Sequence, residues 1–389
     1  MKMAVVANAP LAHVLRSGVT PTSEHFSTID LRRCSACGHA WNSSAETVFS
    51  HEPSFLTNKP VSQSMDTRIR DLARYLTDSL AHTPSRVLEV GAGSGLLSIA
   101  LADKGHEVCA LEPSTRLDTS RLTACGVRVV RDFWPSSALE LEKFDLVVCV
   151  QVLEHSMSPG HFLTAIAGAL TIDGRAYVEV PSGDWVWRHQ SPIDVHAPHI
   201  NYFSEASLHG LVVEAGLRVI GRQDLDAGRN IGLLLRRTDS NDLLVNSLNT
   251  NSSWRRHDYE TFAESDCLAL ASAVSALRER VQSLRGSTAL YGANAGSQSL
   301  LGWIPTTHWD CIFDDTPEYW GHSAYSAQGT FPILNPESVD LNDRSVIVIA
   351  AYVHDVVIAE RLRNLGFRGE ILTLRPPSAV TVGPPSLLT

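Results

Sequence analysis

The stretch Glu89-Val90-Gly91-Ala92-Gly93-Ser94-Gly95 constrains this chain more than any other. It continues the apolar run Arg86 to Val90 and precedes Leu96 to Lys104, which reads as a helix. A glycine bend takes its meaning from such a strand-to-helix setting, because glycine adopts positive φ and lets the backbone approach a ligand closely. The same alternation then repeats. Glu107 to Leu111, Val127 to Val130, Phe144 to Val150 and Ala176 to Val180 read as further strands. Between the last two, Pro159 suits the first turn of a helix carrying Phe162, Leu163, Ile166 and Leu170 on one face. Strands alternating with helices imply parallel βαβ units, and so a doubly wound α/β domain.

A chain of 389 residues exceeds one ordinary domain. Residues 1–62 read as a small irregular module with one Cys pair. Residues 63–238 hold the glycine-bend domain. A polar linker and a long helix, Glu264 to Leu284, occupy 239–285. Residues 286–389 open with Thr288 to Tyr291 and read as a second, smaller Rossmann-like domain. At 44% hydrophobic and 19% charged residues the chain is expected to be globular and soluble. Its net charge of −10 and its isolated pairs Arg32-Arg33, Arg236-Arg237 and Arg255-Arg256 argue against a nucleic-acid partner. No apolar run approaches the ~20 residues that span a bilayer, and MKMAVVANAPLAHVL lacks the apolar core of a secretory signal. An odd count of seven Cys fits reduced thiols, so a cytoplasmic monomer or homodimer is expected.

Two ligand classes compete for the bend. A dinucleotide fingerprint places glycines first, third and sixth; here they fall first, third and fifth, and the sixth position is Leu96. Glu89, two residues before the first glycine, would repel a pyrophosphate but could accept from the ammonium of a methionine moiety. Glu112, after the second strand, lies where an acid accepts ribose hydroxyls from either cofactor. Past the fifth strand, Asp194-Val195-His196-Ala197-Pro198-His199-Ile200-Asn201-Tyr202-Phe203-Ser204 concentrates groups able to move protons, on a loop at the carboxyl end of a strand where α/β sheets bind ligands. His199, His196 and Tyr202 are the candidate catalytic residues, histidine because its ordinary pKa lies near neutrality. The alternative is that His199 caps the helix starting near Ser204 and Tyr202 is packing.

The bend resembles the first motif of the seven-strand S-adenosylmethionine methyltransferases. That resemblance implies that Glu89, Gly91, Gly93 and Gly95 line the methionine end, that Glu112 holds the ribose, that Asp132 and Phe133 flank the adenine, and that Gln151 lies beside the sulfonium. S-adenosylhomocysteine would be the product. The order of parts is also similar to the sugar C-methyltransferases, which act on nucleotide-linked keto-deoxysugars. Leu31 to Gly38 resembles their second zinc knuckle, His199 to Ser204 their His-x-x-Tyr-Phe-Ser stretch, and Leu290 to Gly296 with Asp314 to Pro317 their last domain. This likeness implies that His199 takes a proton from carbon beside a ketone and that Tyr202 steadies the enolate. It also implies zinc at Cys34 and Cys37, although four ligands are wanted and only His13, His25, His39 and His51 are at hand; no metal-ligand set is assigned. The stretch Gly228 to Leu233 departs from the family pattern, and Gly292 to Gly296, which lacks the dinucleotide spacing, reads as a scaffold or a wall of the substrate site. O- or N-methylation of a secondary metabolite, or nucleotide binding without methyl transfer, are the competing readings.

Overall fold

A computed structural model describes residues 2–11, 14–34, 37–44, 63–114, 118–238, 257–304, 309–376 and 386–387. Its centre is a seven-stranded sheet. The strands are β4 (Arg86–Val90), β5 (Glu107–Leu111), β6 (Arg128–Val130), β7 (Phe144–Val150), β8 (Leu170–Pro181), β10 (Leu217–Leu225) and β11 (Asn230–Arg237). Their order is β10-β11-β8-β7-β4-β5-β6, parallel from β8 to β6, with β11 and β10 antiparallel at the other edge. Central strands such as LVVCV are apolar on both faces because helices cover both. Helices α1 (Gln63–Asp78) and α2 (Leu96–Ala102) pack Ala73, Leu76, Leu97 and Leu101 against Val87, Val108 and Val148. On the opposite face α4 (Pro159–Ala169) and α6 (Glu205–Glu214) bring Phe162, Ile166, Leu208 and Val212 onto Leu88, Val147 and Val178. Pro159 does start α4.

The amino-terminal segment is not irregular. Strands β1 (Lys2–Pro10), β2 (Phe26–Arg33) and β3 (Ala40–Asn42) form an antiparallel sheet whose fourth strand, β9 (Asn201–Tyr202), comes from the central domain. In β2 every second residue is buried, Ser27, Ile29, Leu31 and Arg33, the period-two pattern of a half-covered strand. Ser27 and Arg33 on the inner face obscure that pattern in a hydropathy reading. Ala40 pairs with Tyr202 and Trp41 with Asn201, so the small module holds the histidine-rich stretch by its backbone.

Helix α7 (His257–Ser283) leads to a six-stranded sheet, β14-β15-β13-β12-β16-β17. Its strands are β12 (Thr288–Tyr291), β13 (Cys311–Phe313), β14 (Ser323–Ser326), β15 (Gly329–Leu334), β16 (Val346–Ile349) and β17 (Glu370–Thr373); α8 (Ala295–Trp303) follows β12. One core joins Ile29 and Leu31 of the first sheet, Leu270 and Leu277 of α7, Leu290 and Val348 of the last sheet, and Trp187 and Tyr202 of the centre. Among the described residues no helix is long and apolar enough to cross a membrane.

Candidate active site

Each glycine of the bend is left-handed. Gly91, Gly93 and Gly95 have φ of 73°, 54° and 74°, a region that side chains with a Cβ seldom enter. A Cβ on Gly91 would lie 2.4 Å from Val152, and one on Gly95 2.5 Å from Leu122, whereas Gly93 meets nothing nearer than the Gly91 carbonyl at 4.0 Å. The outer two are therefore packing requirements, and the middle one faces open space. Glu89 lies beneath the bend, where its carboxylate accepts from the Ser98 hydroxyl of α2. Burial pushes its carboxyl up to about 7, against the Ser98 hydrogen bonds and with help from Glu112. Glu112 accepts from Gly93 N at 2.8 Å and Ser114 N at 2.9 Å, one bond to each oxygen. Each oxygen keeps a second lone pair for a ribose hydroxyl. After β6, Asp132 is tied to the Ser136 hydroxyl (2.7 Å) and to Phe133 N (2.8 Å), which hold it below the usual carboxylate range. The Phe133 ring beside it is 69% exposed, a free face for a flat ring.

Beyond the bend lies a cavity of about 1040 Å³ between the central sheet and the last sheet. That is at the upper end of the roughly 300–1,000 Å³ of ordinary ligand sites. The turn after β7 links the two. Val152 touches Gly91 on one side, and Gln151, at φ 56°, lines the cavity on the other. The Gln151 amide donates to Glu179 Oε1 (3.2 Å) and Asn230 Oδ1 (3.1 Å). Both its N–H donors are thus used, and its acceptor oxygen is what it offers a ligand. Glu179 is wholly buried; Arg68 of α1 pairs with it, and the Tyr177 hydroxyl lies between Glu179 Oε2 (3.2 Å) and Gln223 Oε1 (3.1 Å). On the far wall Asp194 receives Arg229, the Tyr352 hydroxyl (3.0 Å) and the Ser191 hydroxyl (2.6 Å). Burial opposes its ionisation, but Arg229 and the two hydroxyls hold its pKa below the ordinary value.

The catalytic candidates do come together. His196 Nε2 and His199 Nε2 are 3.1 Å apart, so one ring donates to the other, and both line the cavity with Tyr202. Ser204, not His199, caps α6 by accepting from Ser207 N. Tyr202 is spent locally: its hydroxyl accepts from His196 N (3.2 Å) and donates to His196 O (3.1 Å). Its hydroxyl acts as a brace for the histidine turn, and burial raises its pKa.

Around Cys34 and Cys37 no third ligand gathers among the described residues. His39 turns Nε2 to Asn201 Oδ1 at 3.1 Å, and His25 turns Nδ1 to Thr22; His13 and His51 lie outside the described residues. Sequence reasoning missed Arg68, Glu179, Asn230 and Tyr352 and gave Arg229 no role. Only the departure at Gly228 to Leu233 pointed toward the β10–β11 hairpin that brings in Arg229 and Asn230. Ala293 to Gly296, in the turn from β12 into α8, line the cavity. That turn repeats the first bend's design, since Asp314 after β13 accepts from Ala293 N at 2.6 Å, as Glu112 accepts from Gly93.

Residues 63–221, which hold the parallel strands of the central sheet, the glycine bend and the acid after the next strand, match a family model described as a methyltransferase domain. Curated relatives include the ubiquinone biosynthesis O-methyltransferases of Bradyrhizobium diazoefficiens, 31% identical over 104 residues (26% of this chain, 41% of that protein), and of a Caulobacter species, 33% identical over 116 residues (28% and 46%). The chain spans about half the length of such relatives. Among solved structures, the 1,6-didemethyltoxoflavin-N1-methyltransferase of Burkholderia thailandensis, with bound 1,6-didemethyltoxoflavin and S-adenosylhomocysteine, is similar over 45% of this chain and 78% of that one, at 21% identity and TM-score 0.36.

Proposed function

We propose that this chain is an S-adenosylmethionine-dependent methyltransferase acting on a small molecule held between the central and last sheets. The observation that carries the reading is the Gln151–Val152 turn, which touches the glycine bend on one side and the large cavity on the other. The cofactor fits the residues present. Gly93 leaves space against the backbone, Glu112 keeps acceptor capacity for a ribose, Phe133 offers an exposed ring, and Gln151 presents an oxygen where a cationic sulfonium would lie. When bound, the cofactor supplies an electrophilic methyl group. The protein then has to align the acceptor and take its proton. The His196–His199 pair supports that role, because a proton taken by one ring can be shared with the other at 3.1 Å. Tyr202 fixes the His196 backbone.

For the acceptor, the reading is a ketone-activated carbon on a nucleotide-linked sugar. It is supported by a cavity larger than a single ring needs, by the polar row Glu179, Asn230 and Gln223, and by a second glycine loop on the opposite wall. O-methylation is the second reading, favoured by the activity named for the curated relatives. Calorimetry should show S-adenosylhomocysteine binding with NAD excluded; the reverse would sink the methyltransferase reading. With a panel of nucleotide sugars, cofactor-free deuterium exchange at a substrate C–H and a mass gain of one methyl support carbon, and methylation without exchange supports oxygen.

A further inference from the structure

Helix α8, which belongs with the last sheet, reaches the histidine pair from behind the cavity wall. His196 lies between two partners: its Nε2 is 3.1 Å from His199 Nε2, and its Nδ1 is 3.3 Å from the Ser299 hydroxyl of α8. We infer that Ser299 is a positioning residue for methyl transfer, holding the His196 ring in the orientation and tautomer that let it share a proton with His199. The inference rests on the reading of that pair as the base. Ser299 is only 3% exposed and is not among the residues lining the cavity, so it acts on the reaction through His196.

The sequence of α8 sets this contact apart from ordinary packing. Three consecutive polar residues, Ser297, Gln298 and Ser299, are buried in it, and buried polar groups need partners. The first two have structural tasks. Ser297 exchanges hydrogen bonds with the Asn294 backbone at the helix start, and the Gln298 amide donates to Pro10 O at 2.8 Å. A helical hydroxyl can also bond back to the carbonyl four residues before it, as Thr77 does to Ala73 O. Ser299 turns to the imidazole instead. The loop that carries His196 is clamped to the same helix, since Trp303 Nε1 donates to Pro192 O at 2.6 Å. From the other side the Tyr202 hydroxyl fixes the His196 backbone. Between the described residues of this crevice, with Val195, His196, Gln298 and Trp303 among them, there is no space for a water molecule, so solvent does not stand in for the hydroxyl.

A neutral imidazole has one donor and one acceptor nitrogen. With both nitrogens of His196 engaged, the choice at one end fixes the other. If the Ser299 hydroxyl donates to Nδ1, Nε2 carries the proton and donates to His199; if Nδ1 donates to Ser299, Nε2 accepts from His199. When the pair holds the proton taken from the acceptor and His196 is the imidazolium, both its nitrogens donate. The Ser299 oxygen then accepts after a rotation of its O–H bond. The proton stays on the imidazole pair, and no covalent bond of Ser299 forms or breaks.

The test is 15N NMR of the full-length chain labelled at its 16 histidines, with the His196 ring assigned as the signal missing from His196→Gln. In the wild type above neutral pH the two ring nitrogens should show the separated shifts of one dominant tautomer. Ser299→Ala should draw those shifts together, toward a mixture, while Ser299→Thr, which keeps the hydroxyl, stays near the wild type. On whichever nucleotide sugar of the panel gains a methyl, Ser299→Ala should lower kcat about three- to tenfold, the worth of one hydrogen bond, with KM unchanged. In the His196→Gln background the same change should cost nothing more, because its effect runs through His196. Retained S-adenosylhomocysteine binding and circular dichroism check each fold. Where Ser299→Thr does not fold or His196→Gln leaves no measurable turnover, the shifts and kinetics of Ser299→Ala decide. Unchanged His196 shifts or unchanged turnover in Ser299→Ala, a folded Ser299→Thr that behaves like Ser299→Ala, or losses that multiply in the double variant overturn the assignment. The ring shifts need neither acceptor nor cofactor, so a failure of this contact is distinguishable from a failure of methyl transfer.

Discussion

Glu89 couples stability to pH in a way that can be worked out from its surroundings. Its carboxyl is raised from 4.5 to about 7 because burial beneath the glycine bend outweighs the Ser98 hydrogen bonds. The folded chain thus holds this proton more tightly than the unfolded chain. Between pH 4.5 and 7 the native state keeps a proton that the denatured state has released, so stability falls as pH rises through that window and levels off above it. The difference amounts to about 3 kcal/mol at and above neutrality. Glu89→Gln keeps the shape and an acceptor for the Ser98 hydroxyl but cannot ionise. It should stabilise the chain by up to that amount at pH 7.5 and change little at pH 4.5. Urea unfolding of both proteins at half-unit intervals between those limits measures the difference. Parallel stability curves for the two proteins would show that Glu89 titrates normally and refute the reasoning.

Other outcomes follow from the same geometry. His199→Ala should lower turnover by ~10²–10⁴-fold with S-adenosylhomocysteine affinity unchanged; a loss below tenfold in steady-state assays would demote His199 to a structural part. Gly93→Ala, at φ 54° with no atom nearer than 4.0 Å, should cost only about 1 kcal/mol of stability yet weaken S-adenosylhomocysteine binding. Gly91→Ala adds a contact 2.4 Å from Val152 and should be distinctly worse in thermal unfolding; equal melting temperatures would contradict this. Arg229→Met leaves Asp194 charged against the last sheet and should destabilise by about 3–5 kcal/mol. Adding Asp194→Asn should recover much of that loss in urea unfolding, and strictly additive losses would count against the pair.

What was legible in the sequence was local. The bend, the strands on either side of it and the first turn of α4 are announced by glycine spacing, apolar runs and Pro159, each a signal contained within about ten residues. The cavity is not local. Arg68 comes from α1, Glu179 from β8, Asn230 from the edge hairpin and Tyr352 from the turn after β16, and nothing in sequence spacing links an arginine to a glutamate 111 residues away. The His-x-x-Tyr stretch was legible as a motif but not in the role of its tyrosine. That role is set by the turn at Pro198, which brings the His196 backbone onto the Tyr202 hydroxyl.

The amino-terminal sheet has a consequence for the active site. A two-residue strand such as β9 cannot persist alone, so Asn201 and Tyr202 owe their position to β3 and to the Asn201 side chain. Asn201 Oδ1 accepts from His39 Nε2 at 3.1 Å and its Nδ2 donates to Ser156 O at 2.7 Å, joining the first sheet, the histidine stretch and the Leu153–His155 turn at one buried amide. Asn201→Leu keeps the volume and removes every one of these bonds, which should cost about 1–3 kcal/mol through the groups left unpaired. Most of the loosening should fall on residues 196–204. Hydrogen exchange in that segment is expected to speed up and turnover to fall, while S-adenosylhomocysteine affinity, set on the other side of Gln151, stays as it was. Unchanged exchange in 196–204, or a loss of cofactor affinity equal to the loss of turnover, would mean that the first sheet does not govern the histidine pair.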